Sequence, residues 1–447
     1  MSFSPTGSSL FSPLFRDEQI AAIFSDEQFI GYALQVEAAL ARVQGRLGVI
    51  PASAAIRIST VAVELQPDFG QLQEAVEKAG VPIAELVRQL RERVGGEAAP
   101  YVHWGATTQD VMDTALVLQI RAALAVLEPA LESVIHALAH LAGRHRHTLM
   151  AARTHAQQAL PMPFGLKVAN WLAPLLRHRQ RLAQLKPRLF VVQFGGAAGT
   201  LAALGDDGLA VQQALAAELD LGLLPTPWHT QRDNLAEMAG WLSLLSGSLA
   251  KIAQDVILMA QSEVGELHES ADASRGGSST MPQKRNPIVS ELIVAAARSN
   301  ASLLAAMHQA LVQEHERATH GWQLEWLTLP QMFALSATAL NKALFLAQNL
   351  VVDEERMRQN VRASNGLMLA EALTFALSPP MARDEAKRLV RECALQAQEQ
   401  GRHLIDVVKE RVQAEVDWET LRDEGAYFGM AEEFIDRLLA EVDLQSG

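Results

Sequence analysis

One polar loop crowds hydroxyls, cations and an amide between two long helical stretches: Gly276-Gly277-Ser278-Ser279-Thr280-Met281-Pro282-Gln283-Lys284-Arg285-Asn286-Pro287. Its glycines give backbone freedom, and its prolines set φ and remove donors. A plain connector needs only turn residues, so the remaining side chains ask for a function. A serine hydroxyl is a poor base unless cations and N–H donors stabilise its anion. Lys284 and the loop amides can do that in a site closed to water. Lys284 and Asn286 can instead hold a carboxylate as it gains negative charge. Both roles fit proton transfer at a carbon beside a carboxylate, through a doubly charged aci-carboxylate.

A second constellation is His103-Trp104-Gly105-Ala106-Thr107-Thr108-Gln109-Asp110, followed by Asp113-Thr114. It precedes a long helix, where N–H groups and threonine hydroxyls make an anion site. Thr107, Thr108 and Asp110 are also the types that cap a helix, and the residues alone leave both readings open. A third segment, Arg153-Thr154-His155-Ala156-Gln157, joins two helices. His155 has the acid–base range for catalysis, although a histidine there can equally be a structural hydrogen bonder. Glu291 follows Lys284 on the helix after Pro287, and a carboxylate there can orient an imidazole.

Long helices must position these groups. Ser25 is the expected cap of a helix reaching about Leu47, and further helices run over about Phe69–Ala79 and Ile83–Val94, stopped by Gly80 and Gly95. From Thr114, apolar residues step by threes and fours: Val117, Ile120, Leu124, Leu127, Leu131, Val134, Leu138 and Leu141. Pro129 should bend that helix without ending it. A second seam is Leu235, Met238, Leu242, Leu245, Leu249, Ile252, Val256 and Met259. Ile293, Ala297, Leu304, Met307 and Leu311 form a third, and Phe333, Ala337, Leu340, Leu344, Ala347 and Val351 a fourth. A fifth helix is expected from Pro163 to about Leu185. The pattern predicts an all-α chain in three parts: 1–113, a long-helix bundle over 114–352, and a more charged C-terminal helical domain over 353–447. Seams this long, with Ala, Gly and Ser mixed in, point to more than one buried face and so to self-association, with a monomeric bundle of thick core as the alternative.

The string Gly277-Ser278-Ser279-Thr280-Met281-Pro282-Gln283-Lys284-Arg285-Asn286 resembles the signature loop of the fumarase/aspartase superfamily, and the likeness runs from Phe24 into the C-terminal domain. The resemblance implies a homotetramer with a multi-helix core and sites shared between subunits. It implies Ser278 as the proton-transfer group, Lys284 as its electrostatic partner, and His155 paired with Glu291. It further implies that His103, Thr107, Thr108, Gln157, Ser279, Asn286 and Arg317 bind substrate. The residues themselves show no zinc, iron or nucleotide-loop motif, so neither metal nor cofactor is expected. Gln193 to Ala197, Trp228 to Asp233 and Gln313 to Pro330 are similar to the cycloisomerase branch, which closes an unsaturated tricarboxylate to a γ-lactone. The adenylosuccinate-lyase branch has two serines and an arginine where this chain has Trp322, Gln323 and Trp326. Two large rings and a lost cation make a poor phosphate site. A fumarate-forming lyase of that kind remains the alternative, as does a non-catalytic structural protein on the same scaffold. The intact loop speaks against the last.

Composition bounds the rest. At 447 residues the chain can hold about two to four domains. Its one cysteine, Cys393, excludes a disulfide framework and fits a reducing compartment. Met1 to Phe15 lacks a basic start followed by an apolar run, so no signal peptide is expected. No uninterrupted apolar run has membrane length. A net charge of −13 argues against nucleic acid but leaves room for a local basic pocket. The run Arg144-His145-Arg146-His147 reads as a solvated helix end rather than a metal site. A cytoplasmic enzyme acting on a small anionic molecule, without nucleic-acid or membrane partners, is the expectation.

Overall fold

The computed structural model describes residues 8–270, 276–277, 280–281, 283–317, 320–378 and 381–444. It is an α protein with a few short strands, as the seams predict. Short helices α1 (Ser12–Phe15) and α2 (Glu18–Ile23) lead into α3 (Asp26–Arg46). The Ser25 hydroxyl caps α3, accepting from the Gln28 amide at 3.3 Å. Then come α4 (Ala52–Glu64), α5 (Phe69–Ala79) and α6 (Ile83–Val94). Asp68 caps α5 by accepting from the Gln71 amide at 3.1 Å, and left-handed Gly80 ends it. The α3–α4 contact leaves no room at Gly45, where a Cβ would lie 2.3 Å from that of Ala55.

Five long helices follow, α7 (Thr108–Arg144), α8 (Phe164–Leu189), α10 (Asp233–Met259), α11 (Ile288–Gln309) and α12 (Gly321–Asn349), with α9 (Gly208–Glu218) between α8 and α10. α7 passes through Pro129 without ending. Every residue of the predicted α7 and α10 seams is buried. In α11, Ile293, Ala297 and Met307 are buried and Leu304 is half-buried, while Leu311, also half-buried, lies past the helix end. The α12 seam is buried at Phe333, Ala337 and Leu340, then the buried row passes to Ala343 and Leu346. By length and hydropathy alone, α7, α10 and α11 could each cross a membrane, a property that a search for uninterrupted apolar runs does not detect.

Two features depart from the sequence reading. The segment joining α7 to α8 is a β-hairpin, with β1 (Leu149–Thr154) antiparallel to β2 (Gln157–Pro163) and a register shift between Ala151 and Arg153. Its prolines sit in a two-stranded ribbon, where each strand has an open edge that needs no donor. His145, read as solvated, is buried, with Nδ1 3.0 Å from the Thr148 hydroxyl and 3.4 Å from Glu354. Burial pushes its pKa down, and the Glu354 charge only partly opposes this.

A second two-stranded ribbon pairs β3 (Leu267–His268) with β4 (Val351–Val352). The C-terminal helices are α13 (Glu354–Arg362), α14 (Ala370–Leu377), α15 (Arg383–Gln400), α16 (Leu404–Arg411), α17 (Trp418–Arg422) and α18 (Ala431–Leu444). Leu373, Leu377, Val390, Leu404 and Val408 share a core there with Cys393. The chain divides into two compact units. The first comprises Met1–Pro129, His178–Gly247 and Ala296–Thr338; the second comprises Ala130–Arg177, Ser248–Ala295 and Ala339–Gly447.

Leu245 is fully buried in α10, whereas Ile56 on α4 is 69% exposed. Leu245→Ala should lower unfolding free energy by about 2–5 kcal/mol, and Ile56→Ala should change it by less than about 0.5 kcal/mol. Urea denaturation of both variants checks the contrast.

Candidate active site

In the first unit the start of α7 is held by buried charge. Asp110 receives four hydrogen bonds: from the amides of Thr107 at 3.1 Å, Gly195 at 2.9 Å and Gly196 at 2.9 Å, and from His229 Nε2 at 2.7 Å. The Thr107 contact is half of a capping box, a third-position carboxylate reaching back to the cap amide. The glycines let the other two amides reach it. A Cβ on Gly195 would lie 2.7 Å from the Cβ of Pro227, and Gly196 is left-handed at φ 68°. The small-residue turn is thus a cradle for a carboxylate of the protein itself.

One turn further on, Asp113 takes Arg232 on both oxygens, at 2.7 and 3.0 Å. The Gln109 side chain and the Trp322 indole each donate to it at 3.1 Å. Arg232 also grips Glu325 at 2.8 and 2.5 Å, and its guanidinium lies 4.8 Å from the Trp228 ring centre. All three charged groups are buried. Two carboxylates around one cation leave an excess negative charge. Burial raises the Glu325 pKa, and Arg232 only partly offsets it. Paired carboxylates and fixed N–H donors make this cluster scaffold.

Beside it lie the unit's predicted binding residues. Arg317 donates to the Thr107 hydroxyl, and its buried Nε has no hydrogen-bond partner among the described residues. Thr107, Thr108 and Arg317 are half-buried. They place hydroxyls and a guanidinium at a helix N-terminus, an arrangement suited to a carboxylate. His103, four residues before Thr107, has Nδ1 2.5 Å from the Glu37 carboxylate. Trp322 and Trp326 meet edge-on at 4.9 Å and line a cavity of about 540 Å³ with Phe24, Phe29, Leu72 and Met112.

The second unit carries the other candidates. His155 and Ala156 form the two-residue turn of the β1–β2 hairpin, with φ of 48° and 62°. Two positive φ values are the type I′ geometry that usually takes Asn-Gly, so the tip is strained. The ribbon is tied down by Arg153, which forks onto buried Glu266 at 2.8 and 2.7 Å, and by Asn360, which donates to Glu266 at 2.8 Å. His155 and Gln157 are exposed.

Gly276 is left-handed at φ 69°, and its carbonyl accepts from the Asn286 amide at 2.8 Å. A Cβ there would lie 2.3 Å from the Asn286 carbonyl oxygen, so the loop closes on glycine. Gly277 bridges to Arg285, and Lys284 donates its amide to Met281 at 3.1 Å. Lys284 is exposed and Asn286 half-buried. Ser278 and Ser279 lie outside the described residues. Glu269 caps α11 by accepting from the Val289 amide at 3.1 Å and the Ser290 amide at 2.6 Å. Exposed Glu291 stands in the first turn of that helix, and among the described residues no hydrogen bond joins it to His155.

The fold therefore brings Thr107 and Arg317 into contact and sets His103 on the same loop. His155, Gln157, Lys284, Asn286 and Glu291 belong to the other unit. Sequence reasoning missed Glu37, His229, Arg232 and Glu325 as partners of this site. A usable signal was present: Glu37 sits amid apolar residues in Ala33 to Val43, where a lone carboxylate must find a buried partner.

Residues 15–299 match the protein family described as "Lyase", and residues 366–438 match "Adenylosuccinate lyase C-terminus". A 3-carboxy-cis,cis-muconate cycloisomerase of Pseudomonas aeruginosa is 47% identical, with 97% of this chain and 96% of that protein covered. Trans-aconitate decarboxylase 1 of Mycosarcoma maydis is 41% identical, with coverage of 96% and 88%. The crystal structure of a 3-carboxy-cis,cis-muconate lactonizing enzyme from Pseudomonas putida superposes with a TM-score of 0.92 at 40% identity, covering 98% of this chain and 100% of that one.

The charge cluster makes an asymmetric prediction. Arg232→Met strands two buried carboxylates and should cost about 3–5 kcal/mol of stability. Glu325→Gln removes the excess charge and should cost much less. Urea unfolding at neutral pH compares the two; equal losses would show that the excess charge is neutralised elsewhere.

Proposed function

The chain belongs to the fumarase/aspartase superfamily of lyases, and from that premise we infer that it is a cycloisomerase converting 3-carboxy-cis,cis-muconate to 4-carboxymuconolactone. The observation that carries this reading is identity of 47% along nearly the whole length of a cycloisomerase. Trp322, Gln323 and Trp326, standing where the adenylosuccinate-lyase branch has two serines and an arginine, support it against a nucleotide-bearing substrate.

The chemistry follows from the residues. A substrate carboxylate oxygen adds to the conjugated diene and forms the lactone C–O bond. The displaced electron pair moves into a second carboxylate, giving the aci-carboxylate. A proton then goes to the adjacent carbon. Ser278 delivers that proton, with Lys284 lowering the cost of its anion. Lys284 and Asn286 stabilise the charge that develops on the carboxylate. Thr107, Thr108 and Arg317 hold a further carboxylate, with His103, Gln157 and Ser279 completing the grip on a trianion. His155 and Glu291 have a smaller part, because a carboxylate leaving group in the reverse reaction needs no proton.

Exposure of His155, Gln157, Lys284 and Glu291 in the single chain supports sites completed by neighbouring subunits, in a homotetramer. The lone cysteine, Cys393, buried in the C-terminal core, fits a cytoplasmic location.

Purified protein mixed with 3-carboxy-cis,cis-muconate should remove the diene absorbance, and should leave adenylosuccinate and trans-aconitate unchanged. Cleavage of either control with an unaltered diene would overturn the reading. Ser278→Ala should lower kcat about 10²–10⁴-fold, the usual contribution of a general acid. His155→Asn should lower it by less than about tenfold; a larger loss at His155 than at Ser278 would reverse the assignment.

A further inference from the structure

Glu37 has no role in the reaction as described so far, yet it is among the most deeply buried charged residues of α3, with its side chain 1% exposed. Its Oε1 lies 2.5 Å from His103 Nδ1, and its Oε2 has no hydrogen-bond partner among the described residues. A buried carboxylate with one partner is costly unless that partner carries charge.

The loop around His103 is pinned at successive residues. Arg91, on α6, donates to the Val102 carbonyl at 3.1 Å. Glu37 holds the His103 ring. Gln44, one further point on α3, donates to the Trp104 carbonyl at 2.7 Å. His103 itself is left-handed, with φ 63°. A strained residue fixed from both sides by its surroundings is a mark of a preorganised site. Four residues later stands Thr107, which receives Arg317.

We propose that Glu37 is a positioning residue of the lactonising site: it fixes His103 through Nδ1 as a cation whose Nε2–H anchors a substrate carboxylate beside Thr107 and Arg317. This rests on the cycloisomerase reading for the identity of the substrate, but the anchoring itself concerns any tricarboxylate. A carboxylate at Nδ1 requires a proton there, which leaves Nε2 as the ring's second nitrogen. No hydrogen bond to Nε2 exists among the described residues.

The groups facing the ring decide its charge. Burial alone would push the imidazole pKa down. The Glu37 charge and hydrogen bond, helped by Asp110, outweigh that and hold it above the ordinary histidine value, while Arg91 opposes them. The sign is then set. Below the raised pKa the anchor is charged and binding is tight. Binding weakens as pH rises through that pKa. Without the Glu37 charge the weakening begins at lower pH.

The test measures KM and kcat for 3-carboxy-cis,cis-muconate, and citrate affinity by calorimetry, from pH 6 to 9. It compares wild type, Glu37→Gln, His103→Gln and the double variant. At pH 7.5, Glu37→Gln should raise KM and the citrate Kd about tenfold, the worth of one charge-assisted contact, with kcat changed much less. Its loss of binding should begin at lower pH than in wild type. His103→Gln should flatten the pH dependence, and adding Glu37→Gln to it should weaken binding no further. A folded Glu37→Gln protein that overlays wild type, or additive losses in the double variant, would overturn the proposal. If Glu37→Gln does not fold, His103→Gln decides: pH dependence that persists without the imidazole overturns it. Wild type that binds citrate with the expected pH dependence but leaves the muconate unchanged would sink the cycloisomerase reading and leave the Glu37 assignment standing.

Discussion

Arg232 is the cation on which the first unit depends. It lies between Asp113 and Glu325 with all three groups out of water. Charges survive burial only when their partners are well placed, and removal of one partner strands the others. The trio therefore forces the start of α7, the segment before α10 and the first turns of α12 to meet in one geometry. Asp110, one turn earlier, is handled differently. Three backbone amides and His229 satisfy it, so the same helix start is tied to the Gly195-Gly196 turn. Both clusters use their carboxylates internally. What remains available beside them is positive or neutral: the Arg317 guanidinium, the threonine hydroxyls and the helix N-terminus. An anion site can thus exist in a chain of net charge −13.

The second unit combines backbone strain with a buried ion pair of its own. The hairpin turn holds His155 and Ala156 in left-handed conformations that side chains disfavour. Glu266 keeps the ribbon in place by binding Arg153 and Asn360 from below. The polar loop closes through Gly276, which tolerates the nearby Asn286 carbonyl only because it has no Cβ. Glu269 fixes the first turn of α11, and with it Glu291. Supports beneath exposed tips hold these polar groups in place without burying them.

Much of this was readable in advance where the cause is local. Ser25 and Gly80 mark helix ends through bonds a few residues away, and the α7 and α10 seams repeat with the helix itself. The α12 seam was readable only to Leu340, beyond which the buried row shifts by one position to Ala343 and Leu346. The hairpin was not readable as strands: it has no clean alternation, it holds prolines, and its turn lacks the Asn-Gly signal. His145 lies 3.4 Å from Glu354, far along the chain, and no local pattern encodes such a contact.

By itself the sequence determined the helical class, the polar loop and the residue types able to stabilise a carbanion beside a carboxylate, because these follow from local periodicity and side-chain chemistry. Tertiary structure decided which charged groups are scaffold and which are available to a ligand. Asp110, Asp113, Arg232 and Glu325 are scaffold because burial makes pairing compulsory. Glu37 and His103 are separated by dozens of positions in sequence and only 2.5 Å in space. That juxtaposition is a property of how α3 packs against the loop before α7, and spacing along the chain carries no trace of it.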